Sequence, residues 1–214
     1  MSKKIIVVGA GGMGREIASV IQESMTTPET SYEFEGFVAE DIPDFKLISD
    51  FNAPYLGNME WVIRNIEIGD EVNFIVGIGD SHKRKDVETK LESSGYQLAT
   101  VIHRNADIGK MVQIGPGSFV AAGCVLTTNV HLGKSVQLNI GCLINHDVYL
   151  GDYVTLSPGV CVTGNVTVGD LTTIFTNATV LPGVTIGDNC TVGAGSTVIR
   201  DIESGKLVKG SPAL

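Results

Sequence analysis

The sequence predicts two parts: a Rossmann-like α/β domain over residues 1–104, then a parallel β-helix of hexapeptide repeats over residues 105–214. Two observations carry this reading. The first is a period of six. From Ala106 to Asp201 the chain divides, without a break in phase, into sixteen units of six residues. The third position of every unit is Ile, Leu or Val, from Ile108 to Val198, and the fourth to sixth positions are rich in Gly, Asn, Asp, Pro and Ser. A single obligatory aliphatic at period six suits no α-helix and marks a parallel β-helix. The second observation is Gly9-Ala-Gly-Gly-Met-Gly14, set between the apolar run Ile5–Val8 and helical spacing at Ile17, Val20 and Ile21.

Each hexad works by simple geometry. The aliphatic points inward, and the turn residues after it bend the chain into the next side of a triangular prism. Three hexads close a lap, so residues eighteen apart stack in neighbouring coils, roughly 4.8 Å apart along the axis. The core is then a column of Ile, Leu and Val.

Composition is that of an ordinary globular chain, with 43% hydrophobic and 18% charged residues among 214. The formal net charge of −9 argues against nucleic acid or an anionic membrane surface as partner. No apolar run approaches the length of a membrane span, and no signal peptide is expected. Cys124, Cys142, Cys161 and Cys190 fall at first or second hexad positions, have no C-x-x-C spacing, and read as small packing residues of a cytoplasmic protein.

In chain order, Ile5–Val8 is a buried strand feeding the glycine turn, whose helix N-terminus offers free N–H groups to a phosphate. A helix follows over 15–24. Glu33–Ala39 is a second strand, followed by Glu40 and Asp41. Residues 41–60 form a polar connection of open form. Asn73–Ile78 is a third strand, ending in Gly79-Asp80. Ser81–Ser94 is a charged helix with a serine cap, and Tyr96–Ile102 a last strand. The glycine turn, the end of the second strand and Gly79–Asp80 fall at the carboxyl ends of parallel strands, where open α/β sheets bind ligands. After Asp201 the tail, with Lys206, Lys209 and Gly-Ser-Pro, is expected to leave the prism.

One hexad is anomalous. In Cys-Leu-Ile-Asn-His-Asp, Asn145, His146 and Asp147 occupy a corner that other hexads fill with glycine. A carboxylate beside an imidazole can hold one ring nitrogen and leave the other to take a proton. The lap of eighteen places Gly164 beside His146, where a backbone N–H could hold a developing oxyanion, the arrangement that acyl transfer needs. His131 reads as a surface or interface residue and His103 as part of the linker. His131 and His146 are out of stacking phase, so no metal site is expected. The second hexad position carries no formal charge from Gln113 to Thr197, which suits burial against other copies in a homotrimer.

With the hexads, the His-Asp corner, the G-x-G-x-x-G start and the Lys-Gly-Ser-Pro-Ala tail, the whole chain resembles the bacterial sugar acyltransferases with a left-handed β-helix. These include sialic acid O-acetyltransferases and N-acetyltransferases of nucleotide-linked 4-amino-4,6-dideoxy sugars. The resemblance implies a homotrimer, with acetyl-CoA between adjacent prisms and the nucleotide sugar on the α/β domain. It implies His146 as base and Asp147 as its partner, with Thr155, Gly164 and Lys209 along the coenzyme. For the sugar nucleotide it implies Gly12, Met13, Gly14, Ala39, Glu40, Gly79 and Asp80. Three positions depart from relatives: Met13 stands where some have His, Ala39-Glu40 where some have an Asp pair, and Thr155 where one branch has His. The expected function is N-acetylation of the sugar 4-amino group for surface glycan synthesis. O-acetylation of a sialic acid or other sugar, and a non-catalytic trimeric nucleotide-binding scaffold, stay open as alternatives.

Overall fold

The computed structural model describes residues 3–24, 32–68 and 71–214. They form two compact units, Met1–Val101 and Ile102–Leu214. The first unit runs β1 (Lys3–Val8), α1 (Gly12–Ser24), β2 (Tyr32–Val38), α2 (Phe45–Ile48), β3 (Tyr55–Gly57), α3 (Met59–Asn65), β4 (Val72–Val76), α4 (Ser81–Ser93) and β5 (Gln97–Leu98). Its strands make one parallel sheet in the order β3-β2-β1-β4-β5. Because β1 pairs on both edges, with β2 and with β4, Ile5–Val8 is apolar throughout and at most 4% exposed. Strand order reverses between β1 and β4, which opens a crevice at their carboxyl ends.

Residues 41–60 take a definite form. Asp44 caps α2 by accepting from the Lys46 N–H at 3.0 Å, a single 3₁₀ turn spans Ser49–Phe51, and β3 extends the sheet. Asn58 caps α3 by accepting from the Trp61 N–H at 3.2 Å. The cap of α4 is Asp80 rather than the expected serine. Its Oδ1 accepts from the Lys83 N–H at 2.9 Å, while Ser81 is already helical and buried. An ionised cap also suits the positive end of the helix dipole, so the carboxylate outcompetes the hydroxyl next to it.

The expected strand Tyr96–Ile102 divides. Gln97–Leu98 pairs with β4, and Val101–Ile102 lies in a sheet of the β-helix. The hexad phase therefore runs back one unit, to Ile102.

In the second unit two-residue strands build three parallel faces. The first face runs from Asp107–Ile108 to Thr197–Val198, the second from Gln113–Ile114 to Thr185–Ile186, and the third from Val101–Ile102 to Leu207–Val208. Every full lap pairs residues eighteen apart, as in Val125↔Leu143↔Cys161 and His131↔Tyr149↔Thr167. The third-position aliphatics from Val120 to Val198 are at most 1% exposed, whereas Ile108, in the first lap, is 37% exposed. The cysteines are free thiols, and the Cys124 and Cys142 Sγ atoms face the carbonyls of Asn139 and Ser157 at 3.1 and 3.3 Å. They pack, as expected.

The corner between the second and third faces is tied by a ladder. The N–H groups of Lys134, Asp152 and Asp170 donate to Oδ1 of Asp152, Asp170 and Asp188, each at 2.8 to 2.9 Å, and the Asp188 N–H donates to Ser204 Oγ at 3.0 Å. The tail does not leave the prism. Ile202 bridges Ile186, Leu207–Val208 pairs with Thr191–Val192, and the Ala213 N–H donates to the Thr197 carbonyl at 2.8 Å. Leu207 stands sixteen residues after Thr191 instead of eighteen, so a shortened lap finishes the column by covering apolar side chains that would otherwise face water.

Leu150 is fully buried in that column. Leu150→Ala should cost about 2–5 kcal/mol, the usual range for a leucine truncated in a close-packed core. A urea titration followed by circular dichroism would show a lower midpoint.

Candidate functional site

The corner between the first and second faces carries His146. The strand Leu143–Ile144 enters it and Tyr149–Leu150 leaves it. Asp147 sits at φ 60°, in the left-handed region, and its N–H donates to the Thr128 carbonyl one lap earlier at 3.2 Å. This bend brings the Asp147 carboxylate back to the ring that precedes it. Oδ2 lies 2.8 Å from His146 Nδ1, with both side chains about half exposed. An ionised carboxylate accepts from Nδ1–H, which assigns the ring the tautomer whose Nε2 carries the lone pair. The Asp147 carboxyl is held below the ordinary aspartate range, first by a hydrogen bond from Asn129 and second by the one from His146. Its sign follows: the stability this carboxylate contributes is complete above the ordinary range near pH 4 and is lost as pH falls through its lowered native value.

One lap on, Gly164 lies against the imidazole. A Cβ there would stand 2.5 Å from His146 Cε1 and 2.6 Å from Nε2, so only glycine leaves the ring its place. The Asn165 N–H donates to the His146 carbonyl at 3.0 Å, which locks the two laps in register. The Gly164 N–H itself donates to no group among the described residues. At the equivalent hexad position of the next corner, the Asp ladder takes up the N–H groups of Lys134, Asp152 and Asp170. The histidine corner has no such ladder, and Gly164 is buried beneath the imidazole without one. The imidazole and the Gly164 backbone are thus packed against each other at this corner.

The α/β unit holds a cleft of about 610 Å³ at the carboxyl ends of β1, β2 and β4. Gly9, Ala10 and Gly11 line one side, Ala39, Glu40 and Asp41 another, and Lys83 and Asp86 of α4 a third, over an apolar floor including Val8, Val38 and Ile78. Lys83, Glu40, Asp41 and Asp86 make no ion pair among the described residues. Ala39 and Glu40, at the carboxyl end of β2, thus line the cleft. Gly12, Met13 and Gly14 do not line the cleft, because α1 begins at Gly12 and all three lie in its first turn. Gly14 packs instead: a Cβ there would collide with the Gly9 carbonyl. Gly79 and Asp80 border α4 and are likewise outside the lining, Asp80 spending one oxygen on the helix cap.

Thr155 is buried on the third face, and Lys209 is exposed in the closing lap. Neither is brought to the His146 corner within the chain. His131 stacks on Tyr149 with ring centroids 4.9 Å apart, its Nδ1 being 3.2 Å from Gln113 Oε1. His103 is buried, and its Nδ1 accepts from the Asn105 N–H.

Two residues escaped the sequence reading. Asn129, eighteen before Asp147, donates from Nδ2 to Asp147 Oδ1 at 2.6 Å. The same lap arithmetic that gave Gly164 would have found it. Arg84, in the charged helix, is fully buried, and its Nη1 donates to the Ile78 and Gly79 carbonyls at 2.9 and 3.2 Å. It fixes the loop between β4 and α4. Its signal was the spacing of Ser81, Arg84, Glu88 and Leu91, which share one helix face.

The fold is a hexapeptide-repeat β-helix with a parallel α/β domain before it. Residues 165–200 match the model of the bacterial transferase hexapeptide (six repeats), and residues 4–91 match the PglD N-terminal domain. Among curated proteins, nothing matches by sequence. Among solved structures, the chain is similar to PerB from Caulobacter crescentus, in complex with CoA and GDP-perosamine. The identity is 28%, with a TM-score of 0.88 over 99% of this chain and 96% of that one. It is also similar to the acetyltransferase domain of PglB from Neisseria gonorrhoeae in complex with acetyl coenzyme A (26%, TM-score 0.87, 100% and 99% covered). WeeI from Acinetobacter baumannii is a third (27%, TM-score 0.83, 98% of each). The resemblance to bacterial sugar acyltransferases is borne out over the full length, as is the two-part fold.

Gly164→Ala tests the corner. The added methyl must push the imidazole off its position, and acetyl transfer should fall at least about tenfold, as expected for a misplaced catalytic group. Steady-state rates, with circular dichroism as the check on folding, would measure it.

Proposed function

We propose that the chain is an acetyl-CoA-dependent N-acetyltransferase acting on the 4-amino group of a nucleotide-linked 4-amino-4,6-dideoxy sugar, for surface glycan synthesis in the cytoplasm. The observation that carries it is the His146 ring held between the Asp147 carboxylate and Gly164. This occurs in a chain matched end to end by an enzyme solved with CoA and GDP-perosamine. In the reaction, His146 Nε2 takes a proton from the sugar amine as its nitrogen attacks the thioester carbonyl. The Gly164 N–H holds the oxygen of the tetrahedral intermediate. The C–S bond then breaks, and the proton on His146 passes to the departing sulfur, leaving an amide and free CoA. Asp147 stays ionised and keeps the ring aligned.

In the α/β cleft the nucleoside would lie on the apolar floor, with Glu40 or Asp41 facing hydroxyl or ring N–H donors. Lys83, with the N–H groups near Gly9–Gly11, would offset the charge of the diphosphate, which the neighbouring carboxylates would otherwise repel. Assembly as a homotrimer is supported by Leu143 and Tyr149. They flank the His146 corner on its two faces and stay 44% and 45% exposed, apolar surface suited to burial against another copy. No helix among the described residues is long and apolar enough to cross a membrane.

The deciding experiment follows thiol release from acetyl-CoA over a panel of GDP-, UDP- and dTDP-linked 4-amino sugars. Gain of a base-stable acetyl group on one of them is expected. No release with any, or a base-labile ester as product, would overturn the reading. His146→Ala should lower the rate at least about a hundredfold, the usual worth of a positioned base. Lys83→Ala should raise KM for the nucleotide sugar about tenfold with little change in kcat, the signature of lost ground-state binding.

A further inference from the structure

Asn129 stands one lap before Asp147. The backbone ladder Val125↔Leu143, Leu126↔Ile144 fixes that relation, and the Asp147 N–H closes it by donating to the Thr128 carbonyl. Asn129 sits at φ 53°, in the left-handed region. Asparagine tolerates that region well, so turn preference alone could account for it. Asn165, Asn177 and Asn189 share that sixth hexad position and conformation, so the backbone by itself does not distinguish Asn129. Met111, Tyr153 and Leu171 occupy the same sixth hexad position at φ 60–61°, so the corner accepts side chains that make no turn of their own. What sets Asn129 apart is its hydrogen bond: Nδ2 donates to Asp147 Oδ1 at 2.6 Å, while Oδ2 of the same carboxylate is 2.8 Å from His146 Nδ1. One carboxylate oxygen is pinned by the amide, and the other is thereby aimed at the ring. Without the pin the Asp147 side chain, nearly half exposed, is free to turn toward solvent.

We infer that Asn129 is a positioning residue, the third member of an Asn129–Asp147–His146 chain that fixes the ring tautomer and leaves Nε2 as the proton acceptor. It touches no reacting atom and acts only through the carboxylate. The inference rests on the reading of His146 as base for its kinetic consequence, but the orientation it describes belongs to the protein without substrate.

The experiment is run on the full chain as wild type, Asn129→Ala and Asn129→Asp, the last being the same size without a donor. The Asp147 carboxyl is titrated by carbon NMR, and the His146 ring is read by nitrogen NMR, with His146→Gln supplying the assignment. In the wild type, Asp147 should titrate below the ordinary aspartate range and the ring should carry its proton on Nδ1. In both variants the Asp147 titration should move up, and the Nδ1–H tautomer should lose population. With acetyl-CoA and GDP-perosamine as probes, kcat should fall about tenfold at unchanged KM for acetyl-CoA, the scale of one charge-assisted hydrogen bond. A folded variant with the wild-type titration and tautomer would overturn the inference, and so would a wild-type ring protonated on Nε2. Shifted spectra together with a wild type that acetylates no sugar would uphold the positioning and sink the acetyltransferase reading instead.

Discussion

The backbone hydrogen-bond ladder between successive laps is the constraint on which the rest depends. Each two-residue strand pairs with the strand eighteen positions away, so every side chain has a fixed neighbour above and below. Inward, the rule stacks the aliphatic column. Outward and at the corners, it turns a one-dimensional spacing into a contact list: Asn129 on Asp147, His146 on Gly164, Asp152 on Asp170. A rigid scaffold with so short a repeat suits a reactive site. It holds the His146 ring against Gly164 with no loop to order first.

The two kinds of corner show how one scaffold serves structure and chemistry. Where aspartates repeat at the fifth hexad position, each amide is taken up by the carboxylate of the next lap, and the corner is closed. Where the sequence substitutes His146 and then Gly164, no carboxylate reaches back, and the Gly164 amide remains uncommitted among the described residues. The corner is thus made partly by omission from a stabilising pattern, with Gly164 leaving space for the ring.

The α/β unit follows different physics. Its cleft forms because strand order reverses beside β1, and its shape depends on a buried arginine holding the β4–α4 loop by two carbonyls. A fully buried guanidinium is costly to desolvate, so it persists where its hydrogen bonds define a conformation. The uncommitted carboxylates around Lys83 give that cleft a polarity unlike the histidine corner.

The period, the inward column, the His146–Gly164 juxtaposition, the parallel sheet and its glycine turn were legible in the residues alone, because each follows from a local or strictly periodic rule. The sequence did not reveal the split of residues 96–102, the tail's return to the prism, the cap at Asp80 or the burial of Arg84. Those were decided by competition among partners for hydrogen bonds and apolar surface. Tyr96–Ile102 reads as one strand, yet its halves pair in different sheets, and an arginine in a charged helix looks solvated until the loop carbonyls facing it are known. Local spacing specifies what repeats; only the folded chain settles which of several equally allowed partners a non-repeating residue takes.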